Sequence, residues 1–143
     1  MVVGMGTDLA EIGRVAKSIE RFGDRFLERV YTQGEISYCR SKKGFAESFA
    51  ARFAAKEAGA KALGSGIAWG VSWKEFEVTR ALSGKPSLIL HGRAAELAAS
   101  MGVTRISLSL THTRDLAMAV VLMEGSEGQL NTVRSRAIDL GIH

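Results

Sequence analysis

The sequence predicts an α+β domain: a small antiparallel sheet packed against one long helix. Three observations lead there. Residues 45–63, FAESFAARFAAKEAGAKAL, form the longest helical pattern in the chain, and Gly64 supplies a C-terminal stop. TRISLSLTH, ending at His112, alternates cleanly, with Ile106, Leu108 and Leu110 on one face and Ser107, Ser109 and Thr111 on the other. Strands and helices follow one another without the regular strand–helix–strand rhythm of a parallel sheet. A chain of 143 residues suits a single core, and 46% apolar residues is enough to fill one.

Taken in order, residues 2–7 read as a short strand entering a loop at Asp8. Gly4 and Gly6 share a face with Asp8 under period-two alternation, and small residues there let another backbone or a ligand come close. Residues 11–30 read as one or two helices with a break near Gly23, and residues 34–42 as another short helix. After the 45–63 helix, Gly64, Gly66 and Gly70 mark a loop. SWKEFEVTR reads as a strand on the alternation of Trp73, Phe76 and Val78. LSGKPSLIL reads as a turn into a second strand, with Pro86 near its start, where a missing N–H is tolerated. Residues 91–101 form an amphipathic helix. The strand ending at His112 turns at Thr113–Asp115 into LAMAVVLM, closing a hairpin. The domain is expected to span 1–123. Residues 124–143, polar and then weakly helical, are an extension of no assigned role, either disordered or docked on a neighbour.

Charge and composition narrow the function. Lys and Arg number 19 against 15 Asp and Glu, a mild excess that favours an anionic partner: nucleic acid, a phosphorylated ligand or an acidic protein. Cys39 stands alone, so an intrachain disulfide and a cysteine metal cluster are excluded. No apolar run reaches the ~18 residues of a membrane span. The N-terminus lacks a basic region ahead of an apolar one. The chain is therefore read as soluble and cytoplasmic.

Four constellations carry candidate chemistry. Glu57 and Lys61 lie four apart on the stripe that holds Phe49 and Phe53. The ordinary reading is an exposed ion pair worth ~0.3–0.5 kcal/mol. The apolar stripe and the small neighbours point instead to a carboxylate that needs a cation. Asp8 alone reads as a helix cap; with Glu57 it gives two hard oxygen ligands suited to Mg²⁺. Zn²⁺ fits less well, because the three His include no pair at ligand spacing. His112, Lys42, Lys43 and Arg52 supply groups for a phosphate, and the SGKP turn offers backbone for a flat ligand. Arg14, Lys17, Arg21 and Arg25 recur at spacings of 3, 4 and 4. They form a basic stripe that is either a solvated face or a docking ridge for an acidic partner.

Together these segments resemble the holo-acyl-carrier-protein synthase family of 4′-phosphopantetheinyl transferases. GMGTDLAEIGRV resembles its G-x-D-x-x-x-I signature, and FAARFAAKEAGAKALG its W/F-x-x-K-E-x-x-x-K core. GKP and SLTHTRDLAMAVV follow in the family's order. The resemblance implies transfer of phosphopantetheine from coenzyme A to a serine of apo acyl carrier protein, in support of fatty acid biosynthesis. It implies Asp8 and Glu57 as Mg²⁺ ligands. Glu57 and Lys61 are the implied catalytic pair, Lys61 contacting the pyrophosphate and offsetting charge on the leaving group. Arg52, Gly84, Pro86 and His112 match positions lining the coenzyme A site, together with Ser83, which stands where relatives often carry Asn. Lys42 or Lys43 falls near the 3′-phosphate. Arg14 matches a carrier-protein contact, extended by Arg21 and Arg25. A homotrimer with active sites between subunits is also implied. The competing readings are a Mg²⁺-dependent phosphohydrolase and a basic nucleic-acid-binding module. The few aromatics are not interleaved with basic residues, which counts against the latter.

Overall fold

A computed structural model of the chain describes residues 1–126. The elements run β1 (Val2–Glu11), α1 (Ile12–Phe22), α2 (Asp24–Val30), α3 (Gln33–Arg40), α4 (Phe45–Leu63), a 3₁₀ turn (Trp73–Glu75), β2 (Phe76–Arg80), β3 (Pro86–Leu90), α5 (Gly92–Ser100), β4 (Val103–His112) and β5 (Leu116–Gly125). The fold is mixed α+β, as expected. The extension beyond residue 126 lies outside the described residues.

The strands divide into two antiparallel sheets rather than the single one expected. Three strands form one in the order β1-β5-β4, and β2 pairs with β3 in the other. The physical reason is α4, which meets both. On one side, an added Cβ at Gly4 or Gly6 of β1 would lie 2.2 or 1.9 Å from the carbonyl oxygens of Ala62 and Ala58. The strand therefore rests directly on the helix backbone. On another side, an added Cβ at Gly59 would lie 2.8 Å from the Phe76 ring and 3.1 Å from Leu88. Ala50, Ala54, Ala55, Ala58 and Ala60 of α4 are all fully buried. Such small side chains permit close packing on several faces of one helix.

Three boundaries differ from the sequence reading. β1 does not end at residue 7: Asp8 pairs with Ala119, and the register continues to Glu11 opposite Leu116. Pairing along β5 holds the chain extended through the polar residue. Trp73–Glu75 is a 3₁₀ turn, not strand, because Glu75 Oε2 accepts from Ser72 N at 2.6 Å and from Ser72 Oγ at 3.2 Å. This is a local capping box, and it competes with extension. The basic stripe also does not lie on one helix. Gly23, at φ +55°, ends α1 and starts α2, so Arg25 sits on α2. α4 spans the 19 residues expected, and Gly64 closes it in the left-handed conformation at φ 78°.

Alternation assigns each sheet face. Gly4, Gly6, Asp8 and Ala10 of β1 stand in register with Met123, Val121, Ala119 and Ala117 of β5. Those β5 residues pair in turn with Ile106, Leu108, Leu110 and His112 of β4. This face looks toward α4, and its β5 row is fully buried. On the opposite face Met5, Leu9 and Leu116 are exposed. No described helix is long and apolar enough to cross a membrane.

Candidate active site

Asp8 is delivered by β1 and Glu57 and Lys61 by α4. Because Gly4 and Gly6 seat β1 against α4, Asp8, next on that face, reaches the same helix. Lys61 Nζ donates to Asp8 Oδ1 at 2.8 Å and to the Thr7 carbonyl at 3.2 Å. Lys61 thus pairs with a carboxylate 53 residues away and not with Glu57, its neighbour on the helix. Glu57 Oε1 instead accepts from the indole Nε1 of Trp73 at 2.9 Å. Asp8 Oδ2 and Glu57 Oε2 take no protein hydrogen bond among the described residues. The stripe that begins at buried Phe49 therefore emerges through half-buried Phe53 and Glu57 to exposed Lys61.

Immediately before Glu57, Lys56 carries a role the sequence reading missed. It is fully buried, and its Nζ donates to Glu35 Oε1 at 2.6 Å, Phe76 O at 2.7 Å and Trp73 O at 3.3 Å. Three acceptors match the three N–H groups of an ammonium. Burial pushes the Lys56 ammonium below its usual range, and the Glu35 carboxylate opposes that. Glu35 is satisfied on every side: Thr32 N donates to Oε1 at 2.9 Å and Val78 N to Oε2 at 2.9 Å. The pair ties α3, α4 and the start of β2 together behind Glu57. One signal was available: Thr32 and Glu35 have capping-box spacing, and the box is present at the start of α3.

A second group gathers beside β4, the opposite edge strand of the sheet, where Leu110 stands level with Asp8 across β5. Glu47, Ser48, Arg52, Arg80, Leu110 and His112 line a cleft of about 150 Å³. Arg52 is buried, and its guanidinium carbon lies 4.3 Å from the Tyr38 ring centroid. Its NH1 group donates to Ser48 O at 3.3 Å, while Nε has no partner among the described residues. Arg80 and Lys42 also approach the Tyr38 ring, at 5.4 and 4.8 Å. Arg80 NH1 donates to the Gly84 carbonyl at 2.6 Å, which holds the GKP turn beside the cleft. In that turn Gly84 sits at φ +87°, a conformation that favours glycine, Ser83 Oγ accepts from Lys85 N at 3.5 Å, and Pro86 opens β3. His112 Nδ1 lies 3.2 Å from the Thr113 carbonyl and 3.9 Å from Glu47 Oε2. Arg52, His112 and Gly84 thus converge, with Lys42 nearby through Tyr38; Lys43 is exposed. Arg80 and Tyr38 were not foreseen, because only the fold brings them to Arg52.

Asp8, Glu57 and Lys61 do not line that cleft. The two groups lie toward opposite edge strands of the three-stranded sheet, Asp8 on β1 and His112 on β4. Arg14 borders another cleft, of about 300 Å³, with Leu9, Glu11, Val15, Phe26 and Phe53. Arg25 borders a further one, with Phe22, Phe26 and Arg29, while Arg21 lies over the Phe22 ring at 5.1 Å. Arg14, Lys17, Arg21 and Arg25 are all exposed.

With this geometry in view, known proteins supply the comparison. Residues 4–121 match the profile of the 4′-phosphopantetheinyl transferase superfamily. This chain belongs to that superfamily. A curated relative from Solibacter usitatus, a holo-[acyl-carrier-protein] synthase, is 55% identical over 124 residues, covering 87% of this chain and 99% of the relative. Among solved structures, the holo-[acyl-carrier-protein] synthase of Neisseria meningitidis superposes with a TM-score of 0.79 at 34% identity, covering 87% of this chain and 99% of that one. The Helicobacter pylori enzyme in complex with coenzyme A superposes with a TM-score of 0.75 at 32% identity, covering 84% and 99%. For the superfamily member described here, the G-x-D-x-x-x-I signature is the β1 segment seated on α4. The K-E-x-x-x-K core is the α4 face presenting Glu57 and Lys61.

Proposed function

We propose that this chain transfers the 4′-phosphopantetheine group of coenzyme A to a serine hydroxyl of apo acyl carrier protein, releasing adenosine 3′,5′-bisphosphate, in support of fatty acid biosynthesis. The observation that carries the reading is the 2.8 Å Lys61–Asp8 contact, which joins the two family signatures at one place on the molecule. It stands beside relatives of near-full length that are named for this activity.

The donor chemistry fits Mg²⁺. Among the described residues Asp8 and Glu57 each keep one carboxylate oxygen free of protein donors, and Mg²⁺ is held by one or two carboxylates with water and substrate phosphate completing its shell. Asp8 and Glu57 would hold the ion, which would supply positive charge beside the substrate phosphates. The chain's own residues do the rest. Lys61, half exposed at the edge of α4, donates toward the bond that breaks and stabilises the leaving phosphate. Phosphoryl transfer asks for positioning and charge neutralisation more than covalent work. The serine oxygen forms a bond to the phosphorus that carries the pantetheine arm. The bond from that phosphorus to the bisphosphate breaks, and the serine proton departs to solvent.

The cleft of Arg52, Arg80 and His112 suits the nucleotide end of coenzyme A, with Gly84 held to Arg80 in the turn that also carries Ser83 and Pro86, and with Lys42 and Lys43 as further phosphate contacts. Cations there match phosphate, and the turn backbone approaches a flat base. Since this cleft and the Asp8–Glu57–Lys61 group lie apart on one chain, we propose that a homotrimer completes each active site between neighbouring subunits. The exposed apolar side chains Met5, Leu9 and Leu116, on the sheet face away from α4, support that assembly. Arg14, Arg21 and Arg25 form the surface for the acidic carrier protein. Residues 1–123 constitute the transferase domain, and 124–143 an extension without an assigned role. A cytoplasmic location accords with the single free thiol, Cys39.

The test is mass spectrometry of apo carrier protein incubated with this protein, coenzyme A and Mg²⁺. The carrier gains one phosphopantetheine arm, and a chelator abolishes the gain. Phosphate release from coenzyme A without carrier protein favours a hydrolase instead, and a salt-sensitive gel shift without coenzyme A binding favours the nucleic-acid module.

A further inference from the structure

Trp73 touches α4 at three positions on one helical face. Its ring stacks on Phe53, with centroids 6.4 Å apart and planes at 29°. Its carbonyl accepts from Lys56 Nζ at 3.3 Å, and its indole N–H reaches Glu57 Oε1 at 2.9 Å. The Arg29 guanidinium lies 5.6 Å from the ring centroid. The turn that carries Trp73 is itself pinned, Glu75 accepting from Ser72 N at 2.6 Å and from Ala94 N at 3.2 Å. A rigid ring on an anchored turn therefore holds one oxygen of a flexible three-torsion side chain.

The chemistry of this donor matters. An indole N–H is neutral and cannot accept a proton or a hydrogen bond. It fixes the direction of the Glu57 carboxylate without cancelling its charge, whereas a lysine at the same place would neutralise it. The available lysine, Lys61, is engaged with Asp8 and Thr7. Among the described residues Glu57 thus meets no cationic partner and keeps one oxygen without a protein donor, its carboxylate aimed by a neighbour from a different part of the chain. A donor behind a ligating carboxylate is the arrangement that sets ligand orientation at metal sites.

We propose that Trp73 is a positioning residue for Glu57: its indole N–H orients the carboxylate for the divalent cation and so sets the cation's affinity. This rests on the reading of Glu57 as a metal ligand. The test uses Trp73→Phe, which keeps an aromatic ring to stack on Phe53 and removes the N–H together with part of the indole. Half-saturating Mg²⁺ for transfer rises roughly 10–100-fold, and the protein's affinity for Mn²⁺, measured by calorimetry with coenzyme A present, falls in parallel. KM for coenzyme A at saturating metal stays near wild type, and the melting temperature falls by no more than a few degrees for the smaller ring. A purely structural role gives the reverse: a lowered melting temperature with unchanged metal dependence, which overturns the proposal. Glu57→Gln separates the two readings. If it keeps wild-type metal dependence, the metal-site reading itself fails. If it loses metal binding while Trp73→Phe does not, only the positioning role fails. A second readout leaves the site intact. The chain has two Trp, so in Trp69→Phe the remaining emission is that of Trp73. Titration with Mg²⁺ in the presence of coenzyme A shifts that emission; an unchanged spectrum at saturation overturns the proposal.

Discussion

Replacing Gly6 with alanine adds one methyl group at the point where β1 rests on α4. The new Cβ would stand 1.9 Å from the Ala58 carbonyl oxygen and 2.9 Å from both Ala58 C and Ala62 N. Ordinary carbon contacts begin above about 3 Å, so strand and helix must separate by roughly 1 Å. All three opposing atoms belong to helix backbone, which cannot rotate away as a side chain does. Overpacking of this kind costs about 1–3 kcal/mol, and the rigid surroundings place it at the upper end. For a chain this size that lowers the melting temperature by roughly 10 °C. The functional loss is larger than the stability loss. Asp8 is two residues along the same strand face, and a shift of about 1 Å at reacting groups costs on the order of 10²-fold in rate. The assay is carrier-protein modification at saturating coenzyme A and Mg²⁺, beside calorimetric melting. Gly13→Ala in α1 is the control. An added Cβ there meets nothing within 4 Å, so activity is retained and stability rises by up to about 1 kcal/mol. A Gly6→Ala protein with wild-type melting and wild-type rate would falsify the claim that this crossing positions Asp8.

Four further outcomes are expected. Lys56→Met leaves the Glu35 carboxylate buried without its cation and costs about 3–5 kcal/mol, read by chemical denaturation; adding Glu35→Gln to it restores part of that loss. Arg80→Ala, at an exposed position, raises KM for coenzyme A about tenfold while leaving the melting temperature within a few degrees, and an unchanged KM would remove the nucleotide reading of that cleft. Asp8→Ala and Glu57→Ala abolish transfer yet stay folded by circular dichroism; full activity in either sinks the metal site. Acid weakens the fold through Glu75 and Glu77. The Thr32 hydroxyl, then His91, hold Glu77 below the ordinary value of 4.5; burial pushes Glu75 up, but the N–H groups of Ser72 and Ala94 outweigh it. Both carboxyls bind fewer protons folded than unfolded just below pH 4.5, so their contribution is complete above that pH and is lost as pH falls through their folded values. Thr32→Val, which removes one of these donors and the α3 cap, therefore destabilises by about 1–2 kcal/mol at pH 7 and by less at pH 3.

What could be read in advance was local in origin. The α4 span, its stop at Gly64, the break at Gly23 and the β4–β5 hairpin all follow from periodicity and from residues whose backbone preferences act within a turn or two. The face shared by Gly4, Gly6 and Asp8 was equally visible, since alternation along a strand needs no knowledge of its partner. The Trp73–Glu75 turn was misjudged because its hydrophobic spacing mimics a strand while a Ser72–Glu75 cap decides otherwise.

Pairings across the fold could not be read this way. Spacing put Lys61 beside Glu57, but helical neighbours are only candidates for contact. Asp8 claims the lysine because two glycines bring β1 down onto α4 from 53 residues away. Lys56 likewise finds Glu35 from another helix, and Glu57 finds an indole from a turn beyond a glycine-rich loop. The sequence by itself determined which residues carry charge, which faces they occupy and which family they belong to. Tertiary structure alone decided which charges meet. Long-range hydrogen-bond geometry is set by how closely whole elements approach, and here that distance is fixed by side chains that are absent, at Gly4, Gly6 and Gly59.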